Sequence, residues 1–105
     1  MSAGLLSGNI IAMGVCQVSI NLANTPTITT AVTSVSVPGV RVGDFIFVNK
    51  PTHSAGLGIV NVRVSAADTV EIMTVNPTAA GIDPAAETYT LLWVRPETLV
   101  TGITQ

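Results

Sequence analysis

An all-β fold is what this sequence predicts: a small β-sandwich or barrel-like domain with an N-terminal arm. Three observations lead there. Short runs rich in valine and threonine alternate apolar with polar residues, the period of a half-buried strand. Between Gly43 and Tyr89 these runs are separated at short intervals by Gly, Pro, Asn and Asp, the residues of turn chemistry. Beyond residue 14 no segment carries a convincing helical period. At 105 residues the chain is long enough for one core, and the expected organisation is an arm over 1–13, a β-domain over 14–96 and a tail over 97–105.

In the arm, Leu5, Leu6, Ile10, Ile11 and Met13 are interrupted by Gly4 and Gly8. That is too much glycine for a stable isolated helix, so packing against a neighbouring subunit is expected, with a short helix over 5–13 as the alternative. Residues 14–21 (GVCQVSIN) predict a strand with Cys16, Val18 and Ile20 on one face. Asn24 and Pro26 punctuate the turn that follows. The β-branched run 27–37 (TITTAVTSVSV) is a second strand. Its Ile28 and Val32 share one parity and Val35 and Val37 the other, which predicts a bulge near Thr33 and Ser34.

Residues 44–50 (DFIFVNK) are apolar on both faces, Phe45 and Phe47 one way and Ile46 and Val48 the other. This predicts a central strand with a core on one side and a subunit contact on the other, and at least one phenylalanine in the core. After a Gly-containing loop over 51–58, residues 59–65 (IVNVRVS) alternate cleanly, predicting Val60, Val62 and Val64 inward. A tight connection at 66–68 leads into 69–76 (TVEIMTVN), giving a β-hairpin. Asn76 and Pro77 open a looped excursion, and 87–95 (ETYTLLWVR) is the last strand, with Tyr89 and Trp93 on one face.

Charged residues make up only 10% of the chain, against about 25% in ordinary soluble domains. A monomer so poor in charge shows water an apolar or hydroxyl-bearing surface, and large apolar patches mark contact sites. Burial between subunits is the expectation. With a net charge of −2 and no Lys/Arg cluster, the electrostatic footprint of a nucleic-acid binder is missing. The apolar N-terminal run falls far short of the roughly 20 residues of a spanning helix, so neither nucleic acid nor membrane is an expected partner. One cysteine, Cys16, forms no intrachain disulfide.

Catalytic constellations are hard to assemble from this inventory. Zinc needs about four close ligands, and the chain has one His and one Cys, far apart. His53 beside Ser54 is the sole nucleophile–base adjacency, without an elbow or an orienting partner. Asp44, Asp68, Asp83 and Glu87 fall at strand starts and turns, where carboxylates cap backbone N–H groups, and Glu71 across a hairpin from Arg63 reads as a cross-strand ion pair. Gly56-Leu57-Gly58 is too short for a phosphate loop and leads into a strand. No enzyme, cofactor or metal is expected. The residues expected at contacts are Leu5, Leu6, Ile10, Ile11, Phe45, Phe47, Tyr89 and Trp93.

The run Asn49-Lys50-Pro51-Thr52 with Ala55-Gly56-Leu57-Gly58-Ile59, then Arg63-Val64-Ser65-Ala66-Ala67-Asp68-Thr69, then Asn76-Pro77-Thr78 and Glu87-Thr88-Tyr89-Thr90, resembles small structural proteins of tailed bacteriophages. That group includes head decoration, or cement, proteins. The resemblance covers roughly residues 35–90 and none of the first 25. It implies a non-enzymatic, β-rich, commonly trimeric virion protein that sits on the capsid surface, binds the major capsid protein and stabilises the head. Two alternatives stand beside it: a phage tail or fibre adaptor, and a carbohydrate-binding β-module using Tyr89 and Trp93 as a sugar platform.

Overall fold

The computed structural model describes residues 9–97 and 101. Six strands follow one another along the chain: β1 (Ile10–Ile20), β2 (Thr29–Ser36), β3 (Phe45–Asn49), β4 (Gly58–Ala66), β5 (Thr69–Asn76) and β6 (Glu87–Pro96). They form two antiparallel three-stranded sheets, ordered β1-β6-β3 and β2-β5-β4. The architecture is a small β-sandwich, and no helix occurs among the described residues.

Only β4 and β5 are joined as a hairpin; every other connection carries the chain from one sheet to the other. The inner faces meet in one core. The first sheet supplies Ile20, Tyr89, Leu91 and Ile46, and the second supplies Val35, Val64, Val70 and Ile72. Leu22, Val37 and Val40, from the crossing segments, complete the core. Burying side chains of this size favours folding by about 1.5–3 kcal/mol each before ordering costs.

Polar groups hold the crossings in place. Thr25 and Ile82 exchange backbone hydrogen bonds at 2.8 and 3.0 Å, so the 21–28 and 77–86 connections brace each other. Beneath them lies the fully buried Asn76. Its Nδ2 donates to the Thr25 carbonyl at 3.0 Å and to the Ala80 carbonyl at 2.7 Å, while its Oδ1 accepts from the Thr78 N–H at 2.9 Å and hydroxyl at 2.6 Å. Both of its donors and both of its acceptor sites are therefore used. The buried Thr25 and Thr74 hydroxyls share a hydrogen bond at 2.7 Å.

At the hairpin turn Asp68 is left-handed (φ 61°), and it docks on the 37–40 segment. Val37 N–H donates to the Asp68 carbonyl at 2.9 Å, Asp68 N–H to the Val40 carbonyl at 3.0 Å, and Gly39 N–H to the Asp68 carboxylate at 2.7 Å. Gly39 sits at φ 98°, a conformation that side-chain-bearing residues rarely adopt.

Several expectations are corrected. The first strand starts at Ile10, not residue 14, so residues 10–13 of the expected arm belong to β1 and are not helical; the rest of the arm lies outside the described residues. No bulge interrupts β2, whose register runs unbroken from Thr29 opposite Asn76 to Ser36 opposite Thr69. Ile28 and Val32 simply face outward. Irregularities lie in β1, between Ile10 and Ala12, and in β4, between Ile59 and Asn61 and between Val64 and Ala66; the first of those in β4 turns Val60 out, leaving it 54% exposed. β3 is an edge strand rather than a central one. Neither phenylalanine is in the core: Ile46 takes that place, and Phe45 and Phe47 point away from it.

Candidate assembly interface

Strand alternation and register fix what each face of the β1-β6-β3 sheet presents. Across its inner face run Val18 opposite Tyr89, Cys16 opposite Leu91 and Val48, and Gly14 opposite Trp93 and Ile46. Across its outer face run Met13–Val94–Phe45, then Val15–Leu92–Phe47, then Gln17–Thr90–Asn49. The first two rows are wholly apolar, and Ile11 extends them. Val15 is 67% exposed, Phe45 56% and Phe47 55%; Ile11 and Met13 are exposed as well. The third row is amide and hydroxyl. No charged side chain lies on this face among the described residues of the three strands.

The opposite outer face, on the β2-β5-β4 sheet, differs in kind. Arg63 on β4 pairs with Glu71 on β5, Nε to Oε1 at 3.0 Å and Nη2 to Oε1 at 2.8 Å, the cross-strand pair expected from the sequence. Ser34 completes that row, with Val32 and Met73 beside it. Both outer faces expose apolar side chains, but only the second carries charge on its strands among the described residues.

A polar clamp joins β6 to the start of β3 at one end of the β1-β6-β3 sheet. Asp44, just before β3, is buried, and Arg95 on β6 grips it through Nε at 2.9 Å and Nη2 at 2.7 Å. The Arg41 N–H donates to the same carboxylate at 3.0 Å, the local cap read from the sequence. Arg95 Nη2 also reaches the Gly39 carbonyl at 2.9 Å. The Arg95 hydrogen bond holds the Asp44 carboxyl below its ordinary range, against the opposing effect of burial. The guanidinium lies 5.3 Å from the centre of the Trp93 ring, within cation–π range. Trp93 in turn lies on Gly14, where an added Cβ would stand 2.9 Å from the indole Cζ2.

Of the residues expected at contacts, Ile10, Ile11, Phe45 and Phe47 lie exposed at the same end of this sheet. Leu5 and Leu6 lie outside the described residues. Tyr89 is fully buried and belongs to the chain's own core, so it offers a partner nothing. Burial pushes its phenol up to about 12, with Glu87 adding to the shift. Trp93 is half-buried on the inner face. Both aromatics do share one face, but that face is the interior one, so they form no open platform. Val15, Leu92 and Val94 were missed by sequence reasoning, and Met13 was placed in the arm rather than in a sheet. Their signal was parity, which becomes readable only once β1 is known to start at Ile10 and to pair with β6.

A concavity of about 250 Å³ lies at the end of the outer face of the β1-β6-β3 sheet, between Ile11, Arg41, Val42, Asp44, Arg95 and Glu97, and two more lie elsewhere. One, of about 210 Å³, opens between the 37–40 segment and the inner face at Cys16, Trp93 and Arg95. The other, of about 220 Å³, is lined by Lys50, Thr52, His53, Ser54, Leu57 and Ile59. In the second, Lys50 is committed to Glu87 at 2.5 Å and to the Thr52 carbonyl at 2.7 Å, and His53 is exposed. Among the described residues no group of three or more His, Cys, Asp or Glu side chains is placed to hold a metal ion. Comparison with known protein families, curated proteins and solved structures finds no match to this chain.

Proposed function

We propose that this chain is a non-enzymatic structural protein of a tailed-phage virion, a capsid decoration protein that binds the major capsid lattice as a homotrimer and stabilises the head. The observation that carries the reading is the outer face of the β1-β6-β3 sheet, whose described strand residues carry no charge and include exposed Met13, Val15, Phe45 and Phe47, whereas the other outer face mixes the Arg63–Glu71 pair with Val32, Val60 and Met73. A surface of that kind favours permanent contact over solvent. The phage character rests on the resemblance of the segments between residues 35 and 90 to small virion proteins. A tail or fibre adaptor would use the same surface in fewer copies. The carbohydrate-module alternative has lost its aromatic pair, since Tyr89 is buried.

Stoichiometry tests the proposal. The protein is quantified by mass spectrometry in purified particles against the major capsid protein. Hundreds of copies per particle are expected for decoration. A handful would move the protein to the tail, and its absence from particles would overturn the virion reading.

A further inference from the structure

We infer that the outer face of the β1-β6-β3 sheet is where copies of this chain bind one another, with Met13, Val15, Phe45 and Phe47 at the centre of the contact and Gln17, Thr90 and Asn49 at its rim. This rests on the reading above and deepens it: the face supports the oligomer, and attachment to the capsid falls to other parts of the assembled copies. It can be tested without any capsid.

Area is the first argument. The five exposed side chains Ile11, Met13, Val15, Phe45 and Phe47 together offer on the order of 500 Å² of apolar surface. A standard interface takes about 800 Å² from each partner, and exposed Gln17 and Asn49 with part-exposed Thr90, Leu92 and Val94 add to the centre. The composition is that of an interface core, with aromatic residues and methionine enriched and charge excluded.

Charge selects the occupant. A charged rim would ask for a partner of opposite sign, whereas this rim is made of two amides and a hydroxyl, Gln17, Asn49 and Thr90. Each both donates and accepts hydrogen bonds, so the row is complementary to a copy of itself. With no charge on this face among the described residues of the three strands, and with Arg41 and Glu97 of opposite sign beside Ile11 at its end, bringing identical surfaces together opposes few like charges, the usual penalty on self-contact. The other outer face, with Arg63 and Glu71, lacks this property.

Sedimentation velocity on purified protein, without capsids, tests the inference. Wild type is expected to sediment as an oligomer at micromolar concentration. Val15→Lys and Phe47→Lys, on opposite edge strands of the same face, should each weaken association at least tenfold; Val32→Lys, on the other sheet, should leave it unchanged. A wild-type monomer at 100 micromolar, or dissociation by Val32→Lys alone, overturns the assignment. Methionine oxidation of the unmutated protein provides a second readout that does not depend on variant folding. Met13 and Met73 are exposed on opposite outer faces. Concentrating the protein should slow peroxide oxidation of Met13 severalfold and leave Met73 unaffected; equal behaviour of the two overturns the assignment. Either failure leaves attachment to particles to be judged by stoichiometry alone.

Discussion

Arg95 grips Asp44 with two parallel hydrogen bonds, Nε to Oδ1 at 2.9 Å and Nη2 to Oδ2 at 2.7 Å, joining the far end of β6 to the start of β3. The Asp44 side chain is 2% exposed, so its charge has exchanged water for this pair and the Arg41 N–H. Removing one partner leaves the other poorly solvated, a cost of about 1–3 kcal/mol. Asp44→Asn should lower the urea midpoint accordingly at pH 7.

The same pair sets an acid limit. A carboxyl held below its unfolded value contributes stability that is complete above that value, about 4, and is lost as pH falls through the depressed folded value. Glu87 acts in the same direction, held down by hydrogen bonds from Lys50 and then Thr52. Urea midpoints of wild type should be flat from pH 7 to about 5 and fall below about 4. In Asp44→Asn the fall should be shallower, with Glu87 supplying the remainder. An identical slope in both proteins would remove Asp44 from the account.

Gly14 is required by the indole that rests on it. A valine there would drive methyl groups into Trp93 and push it off the Arg95 guanidinium. Overpacking of this kind costs about 1–3 kcal/mol. Trp93 is the chain's single tryptophan, so its fluorescence reads the site alone, and Gly14→Val should shift the emission maximum as well as lower the melting temperature.

Asn76→Ala would remove one donor from each of the Thr25 and Ala80 carbonyls, which keep the Ile82 N–H and the Thr78 hydroxyl, and would leave the Thr78 N–H without its Asn76 acceptor. A loss of about 2–4 kcal/mol is expected, since several buried hydrogen bonds go at once. Amide exchange should locate the damage in residues 77–84 and in the Thr25–Ile82 bridge, leaving β1 and β6 protected.

Tyr89→Phe should behave oppositely. The Tyr89 hydroxyl is buried and has no hydrogen-bond partner among the described residues. Removing it discards an uncompensated polar group at little packing cost. The variant should match or exceed wild-type stability by up to about 1 kcal/mol in chemical denaturation. A loss larger than that would show that the hydroxyl is paired.

Strand existence was legible in the sequence because the period of two is a local property: β4, β5 and their hairpin, and the cores of β1, β3 and β6, could be read directly. Sheet membership was not, because most connections cross between sheets and carry no pairing signal. The two-faced apolar pattern of β3 was read as a central strand, yet it says only that both faces have a use. Ile46 meets the core, while Phe45 and Phe47 face outward on an edge strand. The bulge assigned to β2 came from assuming that every apolar residue seeks the interior; exposed Ile28 and Val32 show the assumption failing. Asn76 reads as turn punctuation, and three of its four hydrogen bonds, to Thr78 and Ala80, are local to that turn; only its bond to Thr25, distant in sequence, has no local signature. The pairing of Asp44 with Arg95 was hidden for the same reason.

The order of strands has a consequence for synthesis. β6 is the middle strand of its sheet and also the last of the six along the chain, so β1 and β3 have no partner in that sheet until it arrives. The β2-β5-β4 sheet is complete as soon as β5 has been made. On the ribosome the chain therefore matures in two stages, with an uncharged eleven-residue β1 waiting unpaired through the first. Any nonsense codon before Glu87 leaves a half-sandwich with an open apolar interior, a natural substrate for chaperones and proteases. The arrival of β6 is thus the event that closes the fold.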